Sequence, residues 1–316
     1  MKGVGSLQKI SEANPVTAPV IKGKTKHFEK LITIWLFLTP ALLIYAVYIL
    51  YPIVGTLNYS LYDWKGGAEK TFIGLDNYFR LLADSVFWHS LWNNIKVILA
   101  SVFLQIPLGL IMALMLFAPI KGRRFFQTIY FMPFLMSTVA IGLLWVFMFD
   151  PLNGAVNRLI SLFGFEYVAW LSEEKTAMTA ILIVTVWQYA PFYMILFKAA
   201  IVGIPEDLYE AASIDGANAV KRFMHITFPL LVPTIVTSST LAIVGSLKSF
   251  DIFYIMTGGG PNNSTELLGT YMYKQAFIHF NMGYGSSIAF MMFLLAFIAA
   301  GIIQALEASR KKRGMF

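Results

Sequence analysis

Six long stretches of the chain contain no Asp, Glu, Lys or Arg, and this feature restricts the fold more than any other. Each stretch is long enough to cross the hydrocarbon core of a bilayer, roughly 30 Å thick, as a helix. Only 13% of the residues are charged, whereas about a quarter are charged in a typical soluble domain. The sequence therefore predicts an all-α membrane protein with six transmembrane helices. The predicted spans are Leu31–Tyr62, Val97–Ile120, Phe125–Phe149, Thr176–Phe197, Phe223–Leu247 and Gln275–Leu306.

The distribution of basic residues predicts how the chain is oriented in the membrane. Of the 24 Lys and Arg residues, 16 fall on one side of the six spans and 8 on the other. Because basic residues concentrate on the cytoplasmic side, both termini are expected to be cytoplasmic. This asymmetry accounts for the net charge of +7 without a nucleic-acid partner. We expect a flexible cytoplasmic tail at residues 1–30, a membrane domain at 31–306, and a basic cytoplasmic tail at 307–316 beside anionic membrane lipid.

Neither catalysis nor metal binding is supported by the sequence. The chain has no Cys, and its four His residues are scattered without ligand spacing. No carboxylate pair or nucleophile with its base appears at a recognisable spacing. Gly23-Lys24-Thr25 resembles the end of a phosphate-binding loop, but Ala18 occupies the position of that motif's first Gly. We therefore predict no catalytic residue, no metal site and no cofactor in this chain.

A charged segment between the fourth and fifth predicted spans has the pattern of two short helices joined by a glycine. Pro205 suits the first position of a helix, and Glu206 and Asp207 suit its first turn, where the helix dipole favours negative charge. Asp215-Gly216 ends this helix, since Gly adopts a left-handed backbone at a helix C-terminus without a steric penalty. The combination of small and acidic residues is typical of a docking element for another protein.

The same segment resembles the EAA loop of ABC importer membrane subunits, which sits in a cleft of the cytoplasmic ATPase. The resemblance implies that these residues couple the chain to an ATPase, with Glu210 providing a charged contact. It also implies that ATP and Mg bind to partner subunits. The residues that carry the resemblance are Glu210, Ala211, Ala212, Asp215, Gly216, Ile226 and Pro229.

Two further segments are similar to the sugar-type branch of this family. FIGLDNYFRLL, at residues 72–82, is similar to the segment that follows the first span of those permeases. FDIFYIMTGGGPNNST, at residues 250–265, resembles a signature after the fifth span of oligosaccharide and glycerol-phosphate permeases. The glycines and the proline of the second segment predict an external turn. The resemblance implies that this turn lies below a docked solute-binding protein, with the docking residues Gly259, Gly260, Pro261 and Asn262.

Polar and aromatic residues in or near the spans are candidates for the solute path. Aromatic faces stack on sugar rings, and an amide both donates and accepts hydrogen bonds. Gln188 has an alternative role, because amides also bond membrane helices together. Lys248 and Asp251 either line the path or pair with each other. The candidates are Asn94, Trp187, Gln188, Tyr189, Lys248 and Asp251.

The resemblance implies one permease subunit of a binding-protein-dependent ABC importer in the plasma membrane of a prokaryote. Its expected partners are a second, related permease, two cytoplasmic ATPase subunits and an extracytoplasmic solute-binding protein. The expected solute is a sugar or an oligosaccharide, neutral or uronic, or a glycerol phosphate. The alternative is an ion-coupled secondary transporter. A proton-coupled transporter needs an ionisable residue inside the bundle, which the six uncharged stretches do not supply, whereas sodium coupling stays compatible with the sequence.

Overall fold

The computed structural model describes residues 24–117 and 121–312, and these residues are mostly helical. They divide into two units, one ending at Ile53 and one beginning at Val54. The α-helices are α1 (Lys24–Tyr45), α2 (Tyr51–Ser60), α3 (Asp76–Ala83), α4 (Ser85–Ala100), α5 (Ile106–Phe117), α6 (Arg123–Leu135), α7 (Thr138–Met148), α8 (Ala155–Ser161), α9 (Glu174–Val202), α10 (Glu206–Ile214), α11 (Ala219–Arg222), α12 (Phe228–Leu247), α13 (Asp251–Thr257), α14 (Leu268–Tyr273) and α15 (Met282–Lys312). The π-helical turns are Ala46–Leu50, Ser101–Gln105, Phe223–Thr227 and Lys274–Ile278. The strands β1 (Tyr62–Trp64) and β2 (Lys70–Phe72) form an antiparallel hairpin.

Within the described residues, five continuous helical stretches are long and apolar enough to cross a membrane, and a bent pair raises the number to six if it counts as one. The predicted helical membrane fold is confirmed, whereas the number of crossings and the side of the termini stay predictions. The continuous stretches are Thr33–Ser60, Ser85–Phe117, Glu174–Val202, Ala219–Leu247 and Met282–Leu306.

The predicted third span, Phe125–Phe149, is not one continuous helix. It consists of α6 and α7, which meet at a bend of 95°. The helix stops at Leu135, and Met136 takes an extended conformation before α7 begins. Pro133 lies shortly before this break, and proline removes a backbone donor and crowds the preceding turn. A scan for uncharged residues does not detect this kind of interruption.

Other predicted boundaries also shift. The second membrane helix begins at Ser85 rather than Val97, since the scan for uncharged stretches stopped at Lys96. The last begins at Met282 rather than Gln275, because Phe280 has a positive φ of 55° and interrupts the helix. Helix α1 starts and α15 ends beyond the predicted limits of the membrane domain. The predicted tails are otherwise mostly outside the described residues, and the domain limits stay predictions.

Helix α9 lies at the centre of the unit that begins at Val54. It packs closely against α5, and Gly109 permits this approach, because a Cβ there would come within 2.7 Å of the Tyr193 Cβ. Met194 and Phe197 of α9 are fully buried beside Ala113 of α5. Small residues at such crossings are typical of membrane helix pairs.

The segment after α12 was predicted as an external turn, and it proves to be only partly a turn. Its first part forms α13, where Ile252 and Phe253 are buried against α7 and α9. The turn begins at Gly258 and Gly259, whose φ angles are 59° and 89°. The apolar side chains of α13 therefore belong to the core, and the glycines carry the change of direction.

Candidate coupling surface and solute path

The segment between α9 and α12 forms the predicted helix, glycine and helix. Pro205 is extended and precedes α10, so that the helix begins at Glu206, one residue later than predicted. At the other end Gly216 has a φ of 73°. The amide of Ala217 donates to the Ala212 carbonyl (2.9 Å) and that of Gly216 to the Ser213 carbonyl (3.1 Å). These two bonds satisfy helix-end carbonyls in a Schellman arrangement, which requires the left-handed residue.

The outer surface of this segment carries most of the predicted coupling residues. Glu210, Ala211, Asp215 and Gly216 are exposed, and Ala212 is half-buried. Ile214 is 87% exposed, which is unusual for a large apolar side chain. Sequence reasoning missed this residue, although an isoleucine beside an acidic helix end was a usable signal. We define Glu210–Gly216 as the coupling surface.

A few contacts hold the coupling surface to the helices behind it. The Tyr209 hydroxyl and the Thr227 hydroxyl form a hydrogen bond of 2.9 Å, and the Tyr209 ring packs 6.4 Å from that of Phe117. The Arg222 guanidinium donates to the Ser213 hydroxyl (3.1 Å) and so joins α11 to α10. The loop is therefore attached at defined points while its outer face stays accessible.

Two residues of the EAA-like pattern lie at a different place. Ile226 is half-buried in the π-helical turn that precedes α12, and Pro229 occupies the second position of α12. Proline is tolerated there because the π-helical turn Phe223–Thr227 directly before it already interrupts the regular pattern of helical hydrogen bonds. These residues lie at the junction between α11 and α12, and their part in coupling stays a prediction.

A cavity of about 280 Å³ lies between the membrane helices. Three of the predicted path residues line it, namely Tyr189, Lys248 and Asp251. The remaining polar lining consists of hydroxyl groups and one amide, and sequence reasoning missed them because Ser and Thr are common in membrane helices. The polar residues that line the cavity are Ser101, Gln105, Thr138, Thr185, Tyr189, Tyr193, Ser246, Lys248, Ser249 and Asp251.

The other three predicted path residues take part in helix packing. Gln188 is buried and donates to the Thr138 hydroxyl (3.2 Å), which is the helix-bonding alternative. Trp187 packs edge-on against Trp145, with ring centres 5.5 Å apart. The Asn94 side chain forms two hydrogen bonds to backbone groups. The geometry thus gives these three residues packing and hydrogen-bonding contacts.

Asn94 joins the ends of two helices. Its side-chain amide donates to the Ser246 carbonyl (2.9 Å), near the end of α12. Its side-chain oxygen accepts from the Leu268 amide (2.9 Å), at the start of α14. Asn94 is fully buried, so water cannot reach its polar atoms. The two hydrogen bonds satisfy these atoms instead.

The predicted docking residues Gly259, Gly260, Pro261 and Asn262 form the turn after α13. Asn262 is exposed and donates to a Glu174 carboxylate oxygen (2.6 Å). Gly259 is buried, and a Cβ there would overlap the Glu266 carboxylate. Among the described residues the ion pair that forms joins Glu266 to Lys274, so Lys248 and Asp251 are not paired with each other. Sequence reasoning missed the buried Glu266.

A second unpredicted carboxylate, Asp84, connects three helices near the start of α4. It accepts hydrogen bonds from the Tyr271 and Tyr284 hydroxyls and from the Val86 and Phe87 amides at the helix N-terminus. Burial raises the pKa of Asp84, but these hydrogen bonds outweigh it and hold the pKa below its usual value. Burial and the neighbouring carboxylate raise the pKa of Tyr271 to about 12, so it stays protonated as a donor.

These features together define a class of protein. The chain combines a helical membrane domain, an exposed charged loop and a hydroxyl-lined cavity, as expected of a membrane transport subunit. The chain belongs to the family described as binding-protein-dependent transport system inner membrane component, whose pattern it matches over residues 105–312. It is therefore a transport component and not an enzyme.

Similar proteins agree with this assignment. The trehalose/maltose transport system permease protein MalF of Thermococcus litoralis is 37% identical over 83% of this chain and 88% of its own length. The arabinooligosaccharides transport system permease protein AraP of Bacillus subtilis is 31% identical over 89% of this chain and 90% of its own. In structure, the chain is similar to a subunit of a bacterial alginate ABC transporter crystallised with alginate pentasaccharide-bound periplasmic protein. That match has a TM-score of 0.77 and 22% identity, and covers 89% of this chain and 96% of the other.

Proposed function

We propose that this chain is a permease subunit of an ATP-driven importer of a sugar or an oligosaccharide. The observation that carries the proposal is the exposed coupling surface. Its Glu210 and Ile214 side chains are exposed, while the Tyr209–Thr227 hydrogen bond attaches the loop to the start of the next membrane helix. An exposed apolar side chain beside fixed charges suits a protein partner, because apolar anchors and complementary charges fix an interface. The sugar transport functions named for the two relatives support the solute class.

Helix α12 offers a direct mechanical connection between the coupling surface and the cavity. The Tyr209–Thr227 hydrogen bond attaches the loop just before α12 begins. The helix has 20 residues, which corresponds to roughly 30 Å. At its other end Ser246 and the following Lys248 line the cavity. A displacement of the loop by ATPase subunits would therefore tilt a wall of the cavity, which is how we propose that ATP hydrolysis changes access.

The proposed assembly contains a second permease, two cytoplasmic ATPase subunits and a solute-binding protein. The family description names dependence on a binding protein, and the similar alginate transporter was crystallised with a periplasmic protein. In this arrangement the termini and the coupling surface are cytoplasmic, and the turn at Gly259–Asn262 faces the binding protein. This chain contributes one half of the translocation path, and membrane lipid surrounds it.

The charge of the cavity favours a neutral solute. Its lining has one Lys and one Asp, with hydroxyl groups as the main hydrogen-bonding partners. Hydroxyls and amides match the hydroxyl groups of a sugar, and the Tyr189 ring offers a face for stacking. A uronic oligosaccharide or a glycerol phosphate would instead be expected to require an excess of positive charge. We therefore propose a neutral saccharide.

The proposal is tested by purifying the tagged chain from its native membranes in mild detergent. We expect an ATPase and a second permease to co-purify, and sugar uptake to stop on ATP depletion but to resist ionophores. The co-purified binding protein can be titrated with neutral and uronic oligosaccharides. A folded, monodisperse chain that purifies alone, with uptake abolished by ionophores, would refute the ATP-driven function.

A further inference from the structure

Helix α3 directs a row of large apolar side chains away from the protein. Leu75, Phe79 and Leu82 are each more than half exposed, and their spacing puts them on one face of the helix. The opposite face is fixed, because the buried Asn77 side chain donates to the Ser60 and Tyr62 carbonyls. The helix therefore cannot turn its apolar face inward without breaking these two hydrogen bonds.

The exposed face of α3 continues into the helix that follows it. The Trp88 ring nitrogen donates to the Leu82 carbonyl (2.9 Å), which lays the indole against the end of α3. Trp88 and Trp92 are about half exposed, and the exposed row continues with Leu99 and Phe103 along the candidate span Ser85–Phe117. We call this row, with the exposed face of α3, the apolar stripe.

The size of its side chains indicates what covers the apolar stripe. Membrane helices pack on one another through small residues, which allow close approach of the backbones. The buried face of the same span includes five small residues between larger ones such as Phe87 and Val97, namely Ser90, Ala100, Ser101, Gly109 and Ala113. The stripe instead consists of Trp, Phe and Leu, which is typical of a surface that contacts lipid.

A soluble partner does not suit this surface. A binding protein that docks and leaves in each cycle would expose the stripe to water whenever it is absent, and contiguous apolar patches are costly in water. A bilayer covers the surface permanently. Tryptophan also concentrates at the boundary between lipid and water, where its ring is accommodated by the head groups.

We propose that α3 is an interfacial helix, seated in the lipid head-group region at the Ser85 end of the span Ser85–Phe117. An amphipathic helix of this kind lies in the membrane plane with its apolar face in the lipid. Asp84 follows α3 directly and bonds to Tyr271 and Tyr284, so this lipid contact fixes the depth of three helix ends together. The inference does not depend on which solute is transported.

Because this chain contains no Cys, a single introduced Cys is the one labelling site that it provides, and the wild-type transporter treated with the same reagent measures any label on partner subunits. Phe79→Cys and Leu82→Cys would each carry a nitroxide in the purified transporter in lipid nanodiscs. Asp76→Cys, exposed in the first turn of α3, is the matched control. We expect the ratio of oxygen to water-soluble nickel-complex accessibility to be at least threefold higher at 79 and 82 than at 76. Higher nickel accessibility, or burial from both reagents by a protein partner, would overturn the proposal.

Native tryptophans provide a second measurement if a Cys variant fails to fold. Brominated lipids in the nanodisc quench indole fluorescence only at short range. We expect the double variant Trp88→Phe, Trp92→Phe to lose part of the lipid-dependent quenching. Trp170→Phe is the control, because that indole is half-buried and donates to Asn157. Quenching that is the same in the double variant and the wild-type chain would overturn the proposal.

Discussion

The Tyr284 hydroxyl donates a hydrogen bond to the Asp84 carboxylate and so connects α15 to the start of α4. The same carboxylate caps α4 and accepts from Tyr271 of α14. The Arg80 guanidinium lies over the Tyr284 ring, 4.2 Å from its centre, and adds a cation–π contact. One acidic side chain thus determines the relative position of three helix ends.

We predict that Asp84→Asn lowers stability at neutral pH by about 1 kcal/mol, since neutral acceptors form weaker bonds than a partly exposed carboxylate. The pKa of Asp84 is lowered in the folded protein, so its stabilising effect is present above the ordinary Asp pKa. The effect is lost as the pH falls through the lowered value. Thermal unfolding of the purified transporter between about pH 2 and 7 measures the loss of stability and its pH dependence. The variant should lose part of the acid sensitivity, whereas the control Asp76→Asn should keep it; equal slopes for Asp84→Asn and wild type would contradict the role.

We predict that Gly216→Ala destabilises the end of α10 by about 1 kcal/mol, because a left-handed conformation is strained for Ala. No atom of the described residues lies within 4 Å of an added Cβ, so a clash does not contribute. Gly216→Asn is the matched control, since Asn tolerates this conformation. Hydrogen exchange of the peptide that contains Ala217 should accelerate about fivefold in the Ala variant and less in the Asn variant. The same acceleration in both would argue against backbone strain.

We predict that Glu210→Ala weakens retention of the ATPase subunits at least tenfold and lowers uptake to match. Loss of one partner from a buried charge pair typically costs about 2–5 kcal/mol. Asp207→Ala is the control, because Asp207 is exposed on the same helix but outside the coupling surface. Both variants should insert at wild-type abundance. Wild-type co-purification and uptake with Glu210→Ala would exclude this contact.

We predict that Lys248→Gln changes the KM for uptake of a neutral saccharide by less than about threefold. A hydrogen bond from Lys to an anionic group is worth about 1.5–3 kcal/mol, so an anionic solute would lose tenfold or more. Asp251→Asn, which removes the negative charge from the lining of the same cavity, is the paired variant. A large loss with Lys248→Gln and a gain with Asp251→Asn would indicate a uronic or phosphorylated solute instead.

The parts of the structure that follow from local chemistry could be predicted from the sequence. The turn at Gly216 depends on one residue that tolerates a positive φ, and the structure contains it. Hydropathy likewise locates the membrane helices, because each helix satisfies its own backbone hydrogen bonds independently of its neighbours. These features need no knowledge of which helices pack together.

The parts that depend on packing could not be predicted. The burial of α13 results from its contacts with α7 and α9, which are distant in the sequence. Glu266 escaped notice because a buried carboxylate is recognised only by its partner, and Lys274 is one of many basic residues near a span. Gln188 had two open roles, and only the position of Thr138 in space distinguishes them. Half of the predicted path residues line the cavity, and the sequence alone does not indicate which half, because the helix packing decides it.

The two hydrogen bonds of Asn94 have a consequence for how much the segment between their partners can change in length. They hold residues 246 and 268 at one side chain, so the segment between them begins and ends at the same fixed place. Lengthening a loop whose ends are held together costs little free energy. We therefore expect an engineered insertion beside the exposed Asn262 to leave the membrane helices in place. The two hydrogen bonds would thus separate the length of the turn from the arrangement of the membrane helices.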